Sequence, residues 1–197
     1  MIDVAIVDSG GANLASLQFA LDRLGASSIV SDDPERIAAA PRVLLPGVGA
    51  AADAMRRLRA SGTDRVIPTL RVPLLGICLG MQLLFEHSTE GDTPCLGVFR
   101  GRIEKLVSAR DRPVPHMGWN TLELMGEDAL LRDIGASDYV YFVHSYAAPV
   151  TEDTIAATRY GSPFAAIVRK DNFRGVQFHP ERSARVGAKL LRNFLAL

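Results

Sequence analysis

Cysteine occurs twice in these 197 residues, at positions 78 and 95, and the first has the more unusual surroundings. Gly76-Ile77-Cys78-Leu79-Gly80 follows the apolar run 72–77 and leads at once into a helix-like stretch, 81–85. A cysteine on a sharp strand-to-helix turn, with glycines two before and two after it, is a nucleophile elbow with sulfur in place of oxygen. Such a turn lifts the thiol off a sheet, and the partial positive charge at a helix N-terminus favours its thiolate. The next backbone N–H groups, beginning at Leu79, can then point at an oxyanion formed during acyl transfer. Taken alone, G-x-C-x-G describes equally well a buried structural cysteine between packing glycines, since free cysteines are commonly buried.

A thiol nucleophile needs a base, and Val176-Gln177-Phe178-His179-Pro180-Glu181 offers one far downstream. His179 and Glu181 are two apart, so extended backbone would put both side chains on one side. Pro180 removes a donor and stiffens the chain where a strand ends. The carboxylate can fix the imidazole and leave its other nitrogen for the cysteine proton, which completes the three parts of a triad. By themselves His179 and Glu181 also read as a surface histidine and a solvated acid; the elbow in the same chain favours the triad. His87 falls at the end of the predicted helix, and neither His116 nor His144 has a carboxylate two residues on. No Cys/His/Asp cluster has the spacing of metal ligands, and no cofactor is implied.

These residues need a scaffold. Residues 2–8 form an apolar run ending in an acid; Leu14, Leu17, Leu21 and Leu24 then recur at helical spacing before Gly25. Further strands are predicted at 28–31 and 42–45, the latter ending in Pro46-Gly47-Val48-Gly49, with a helix over 50–58. Strands alternating with helices imply βαβ units and a mainly parallel sheet. From residue 97 the pattern changes to strands at 97–106, 114–122, 139–146, 155–160, 164–168 and 175–178. Lys170-Asp171-Asn172 reads as a hairpin turn, and a closing helix covers 184–195. The expectation is one α/β domain, 1–197, with extra antiparallel strands in its second half.

Lys+Arg and Asp+Glu both number 22, and a nucleic-acid binder should carry a basic surplus. The N-terminus lacks the basic segment and long apolar stretch of a signal peptide, and no run approaches the ~18 apolar residues of a membrane span. A cytoplasmic protein with a small substrate or a protein partner is expected.

Together these residues resemble the class I (triad) glutamine amidotransferases. Gly76-Ile77-Cys78-Leu79-Gly80-Met81-Gln82 and His179-Pro180-Glu181 match the two signatures, and Pro46-Gly47-Val48-Gly49 matches the oxyanion-strand motif. Pro115-His116-Met117-Gly118-Trp119-Asn120, Tyr141-Phe142-Val143-His144-Ser145-Tyr146 and Gly175–Ser183 are similar to the members that serve as glutaminase subunits of imidazole glycerol phosphate synthases, in histidine biosynthesis. The resemblance runs from Asp3 to Phe194 and implies a flavodoxin-like fold.

It also implies a mechanism and a partner. Cys78 attacks the side-chain amide of L-glutamine, ammonia leaves, and water hydrolyses the glutamyl thioester; His179 shuttles the protons and Glu181 orients it. Val48, Gly49 and Leu79 form the oxyanion site, while Gly47, Gln82, His144, Ser145 and Tyr146 hold the substrate. Ammonia passes to a (β/α)8-barrel cyclase in a heterodimer, which makes imidazole glycerol phosphate and an aminoimidazole carboxamide ribotide. Asn13, Met117, Trp119, Asn120 and Arg182 fall at the interface. From composition alone, Trp119 suits a partner surface or a core strand equally well. Gly47 and Gly49 would ease rotation of the oxyanion peptide, or simply make a tight turn. Ser9, Gly11, Ala50-Ala51 and Arg182 depart from common family residues, and Arg182 brings a donor geometry unlike that of Lys. A glutaminase serving another synthase should lack the 116–120 and 144–146 segments, and a cysteine peptidase of similar fold usually has its base close behind the cysteine.

Overall fold

The computed structural model describes residues 2–10 and 14–197. Asn13, expected at the interface, lies outside the described residues. The first half comprises β1 (Val4–Val7), α1 (Leu14–Asp22), β2 (Ser28–Ser31), α2 (Pro34–Ala39), β3 (Val43–Gly47), α3 (Ala51–Ser61), α4 (Thr63–Val66), β4 (Leu74–Cys78) and α5 (Leu79–Leu83). The second half is strand-rich: β5 (Phe85–Ser88), β6 (Thr93–Pro94), β7 (Phe99–Lys105), β8 (His116–Thr121), β9 (Glu123–Leu124), β10 (Tyr139–His144), β11 (Tyr146–Ala147), β12 (Thr154–Tyr160), β13 (Ser162–Lys170) and β14 (Phe173–Val176), closed by α6 (Ala184–Leu195).

The central sheet runs β2-β1-β3-β4-β14-β13-β12-β9. The strands from β2 to β14 are parallel, whereas β13, β12 and β9 pair antiparallel. This is the expected α/β architecture with an antiparallel second half. The two faces of the sheet bury separate cores. On one, Leu17 and Leu21 of α1 and Leu190, Leu191 and Phe194 of α6 pack with Ile6, Ile77 and Val176. On the other, Met55 and Leu58 of α3 pack with Val7, Val43, Leu45 and Phe85. Strands buried on both faces read as continuous apolar runs, as 4–7 and 74–77 do.

Local chemistry explains most of the boundaries. Asp33 caps α2 by accepting from the Glu35 N–H at 2.9 Å, with Pro34 in the first turn. That start signal lies in the sequence but was not among the predicted helices. Gly62 ends α3 in the left-handed conformation, φ 78°. The hairpin turn expected at 170–172 forms, with Asp171 at φ 51°. Two predicted elements differ. The helix expected to reach residue 85 stops at Leu83, because fully buried Phe85 pairs its strand with Phe99 and packs tilted against that ring at 5.4 Å. The strand expected over 139–146 breaks at Ser145, whose carbonyl accepts from Leu106 N while His144 turns its ring toward Tyr146.

Candidate active site

Cys78 ends β4 directly beside Gly47 of β3 in the parallel register. Its backbone sits at φ 54°, ψ −113°, a region that side chains rarely adopt. Strained backbone of this kind clusters at functional sites. Close packing holds it there. A methyl group on Gly80 would collide with the Leu45 carbonyl, and one on Gly76 would lie 2.8 Å from the Gly80 oxygen and the Met81 backbone. The two elbow glycines are therefore what let α5 start immediately against β3 and β4.

His179 arrives from the other half of the molecule. It follows β14 and is clamped to β10, which pairs antiparallel with β8: its N–H donates to the Tyr141 carbonyl at 3.0 Å. Ser183 Oγ donates to the His179 carbonyl at 2.7 Å and accepts from Tyr141 N at 2.9 Å. A 3-10 turn over Pro180–Arg182 then brings Glu181 back onto the ring, so His179 Nδ1 donates to Glu181 Oε1 at 2.8 Å. Both side chains are over nine-tenths buried. Nε2 is buried and makes no hydrogen bond of its own, although Cys78 is near enough to bear on its proton affinity. Burial presses the imidazole toward its neutral form, but Cys78 and Glu181 outweigh it, and the pKa is pushed up to about 10.

These groups open on a cavity of ≈ 440 Å³, within the range of about 300–1,000 Å³ common for small-molecule sites. Its wall contains Cys78, His179 and Glu181, the oxyanion-strand residues Gly47, Val48 and Gly49, Leu79, and Gln82, His144, Ser145 and Tyr146. Every residue expected at the triad, the oxyanion site and the substrate site thus lines one space. Gly49 is exposed at φ 90°, a conformation suited to glycine.

The structure adds residues that sequence reasoning missed. Glu90 lines the cavity and accepts from the Ala51 N–H, at the start of α3, at 2.8 Å. Glu181 being taken by His179, Glu90 is the other carboxylate on the described wall; no spacing signal pointed to it. Gln177 sits inside the quoted 175–183 motif without an assigned role, and its side-chain amide reaches the Cys78 sulfur at 3.7 Å. Cys95 is partly buried, and burial raises its thiol to about 11.

The expected interface residues separate by face. Met117 and Trp119 are 63% and 51% exposed, which resolves the open choice at Trp119 in favour of surface. Tyr141 lies edge-on to Trp119 at 5.9 Å, and exposed Arg182 stacks its guanidinium over the Tyr141 ring at 4.5 Å. Asn120 belongs to the opposite face of β8: its amide donates to the Arg159 carbonyl and contacts His116.

A cysteine elbow, a carboxylate-oriented histidine and a flanking glycine turn around one cavity, on a mostly parallel sheet, describe a thiol amidohydrolase. Residues 5–197 match the family model for glutamine amidotransferase class-I, and the chain belongs to that family. Within it, the chain is 53% identical over all 197 residues to the imidazole glycerol phosphate synthase subunit HisH of Xanthomonas campestris pv. campestris, covering 98% of that protein. It is 54% identical, with the same coverage, to the HisH subunit of Xanthomonas euvesicatoria pv. vesicatoria. A crystal structure of a glutamine amidotransferase superposes with a TM-score of 0.75 at 21% identity, over 98% of this chain and 97% of that one. Among the described residues no helix is long and apolar enough to cross a membrane.

Proposed function

We infer that this chain is the glutaminase subunit of an imidazole glycerol phosphate synthase, acting as one amidotransferase domain over residues 1–197 in the cytoplasm. The observation that carries the reading is the meeting, in one cavity, of the strained Cys78 elbow with a histidine whose Nδ1 is held by Glu181 at 2.8 Å. Cys78 gives its proton to His179 and attacks the glutamine amide carbon. The oxyanion is received by N–H groups of the 48–49 strand and of Leu79. His179 returns the proton to the departing ammonia, then activates the water that cleaves the thioester to glutamate. Glu90 supplies the carboxylate that the substrate's ammonium requires, and Gln82, His144, Ser145 and Tyr146 with Gly47 shape the rest of the site.

The partner is a (β/α)8-barrel cyclase, docked on the face bearing Met117, Trp119 and Arg182. An exposed Trp and Arg with the half-buried Tyr141 between them, set beside the cavity mouth, have the composition of an interface anchor. Asn120 contributes from behind β8. Glutamate release should be measured for the chain alone and with a cyclase subunit carrying its nucleotide ligand. A large rise with the liganded partner is expected; strong activity indifferent to the cyclase would remove the partnership and keep the glutaminase.

A further inference from the structure

The mechanism leaves buried Gln177 and His116 unused and gives buried Gln82 and His144 only a place on the substrate wall. Gln177 and His116 are 0% and 3% exposed, Gln82 and His144 4% and 6%. Together they form one continuous line of hydrogen bonds from β8 to the nucleophile. Asn120 Nδ2 meets His116 Nε2 at 3.4 Å, and His116 Nδ1 meets His144 Nε2 at 3.0 Å. His144 Nδ1 lies 2.8 Å from the Tyr146 carbonyl, which also receives Gln82 Nε2 at 2.7 Å. Gln82 Nε2 continues to Gln177 Oε1 at 2.9 Å, and Gln177 Nε2 reaches Cys78 Sγ at 3.7 Å.

The direction of every link follows from one atom. A backbone carbonyl can only accept, so both His144 Nδ1 and Gln82 Nε2 must donate to Tyr146 O. Going one way, a neutral His144 then has only a lone pair at Nε2, so His116 must carry its hydrogen on Nδ1 and accept at Nε2 from Asn120. Going the other way, the second hydrogen of the Gln82 amide points at Gln177, which must present its oxygen. Its nitrogen is thereby turned to the sulfur. A proton added to either imidazole would set N–H against N–H somewhere along the line. Burial lowers the pKa of His116 to about 4 and of His144 to about 3, which keeps both neutral and agrees with this ordering.

We propose that Gln177 is a further catalytic residue, whose side-chain amide, oriented through Gln82 and the Tyr146 carbonyl, donates to the Cys78 sulfur and favours its thiolate. A donor aimed at an anion stabilises the charged form, so the thiol releases its proton to His179 more readily. The weak alternative contact of the thiol, to the Val143 carbonyl at 3.9 Å, serves only the protonated sulfur. His116 and His144 meet the same carbonyl from its other side: they touch neither sulfur nor substrate amide through this line, and the polarity that aims the Gln177 nitrogen follows from the Tyr146 carbonyl itself. The proposal rests on Cys78 being the nucleophile.

The test is the pH dependence of alkylation of Cys78 by iodoacetamide in the full chain, with Cys95→Ser as background. The titratable and charged groups facing the sulfur are His179 and Glu181 after β14, His144 on β10, and Glu90 and Arg182 on the cavity wall. Gln177→Met leaves all of them in place. It should move the reactivity midpoint up by about one pH unit or more, slow alkylation near neutral pH about tenfold, and reduce kcat for glutamine with little change in KM. An unchanged midpoint in folded Gln177→Met overturns the role of Gln177 while Cys78 keeps its own. A Cys78 that never alkylates in the background protein removes the nucleophile and the proposal with it. Should the substituted chain fail to fold, nitrogen NMR of the unsubstituted protein decides: the Gln177 side-chain amide signals are expected to shift as Cys78 ionises or is alkylated, and signals indifferent to Cys78 overturn the contact.

Discussion

Two histidines face the same cavity with opposite proton affinities. His179 is driven up to about 10, although burial works against it, because a carboxylate and the Cys78 sulfur act on its charged form. His144 is driven down to about 3, burial being the largest cause; the Tyr146 carbonyl favours the charged ring but is outweighed, and His116 and His179 nearby oppose a further positive charge. Both rings are almost fully enclosed, so burial alone does not set the outcome; the partner does. One region is built to hold and pass a proton beside the nucleophile. The other is built to stay neutral near neutral pH, which keeps its hydrogen bonds pointing one way.

Perturbing either region should therefore have different signatures. The largest effect is expected from Cys78→Ala, which should cut glutamine turnover by on the order of 10⁴-fold or more, by analogy with loss of a protease nucleophile. The fold should remain, and proton NMR should show the His179 pKa falling while His144 stays neutral. Equal movement of both would dissolve the contrast. Glu181→Gln comes next. A carboxylate lost from a triad typically costs less than the nucleophile, here about 10²–10⁴-fold in kcat. The His179 pKa should fall, since an ion-pairing acceptor of its proton is gone; no change would mean Cys78 alone sustains it.

Trp119→Ala probes the outer face of β8, whose inner face carries His116. Cyclase association should weaken about 10- to 30-fold, the loss typical of a buried aromatic anchor, with the isolated fold and both imidazole titrations unchanged. Unaltered affinity would remove this face from the interface. The smallest effect concerns stability. His116 and His144 have folded pKa values below the unfolded ~6.5, so what they contribute is fully present above about pH 6.5 and is lost as pH falls toward 4 and 3. His179 has the opposite sign: its contribution is complete below about 6.5 and disappears as pH rises through about 10. Denaturant unfolding of His116→Phe should accordingly depend less on pH between 6.5 and 4 than the parent does.

What could be read from the sequence follows the same division. The elbow was legible because five consecutive residues encode it, glycines included; His179 and Glu181 were legible as a pair, although a 3-10 turn over Pro180–Arg182, not the extended backbone expected, brings ring and carboxylate together. Parallel strands announced themselves as unbroken apolar runs. Glu90 was not legible, because it meets the cavity through a loop contact with Ala51 that no periodicity records. The line from Asn120 to Gln177 was invisible for a related reason: its members come from β8, β10, α5 and the end of β14, and only their pairing in space makes them one system. The helix predicted to reach residue 85 failed where a buried Phe85–Phe99 contact overrode local propensity.

The most direct test of the central claim is to quench the protein with acid during turnover of glutamine and map the covalent intermediate by peptide mass spectrometry. A glutamyl group on the peptide containing Cys78, absent from Cys78→Ala and from the Cys95 peptide, is the predicted result. Steady glutamate release with the adduct on another residue, or undiminished release by Cys78→Ala, would contradict the account.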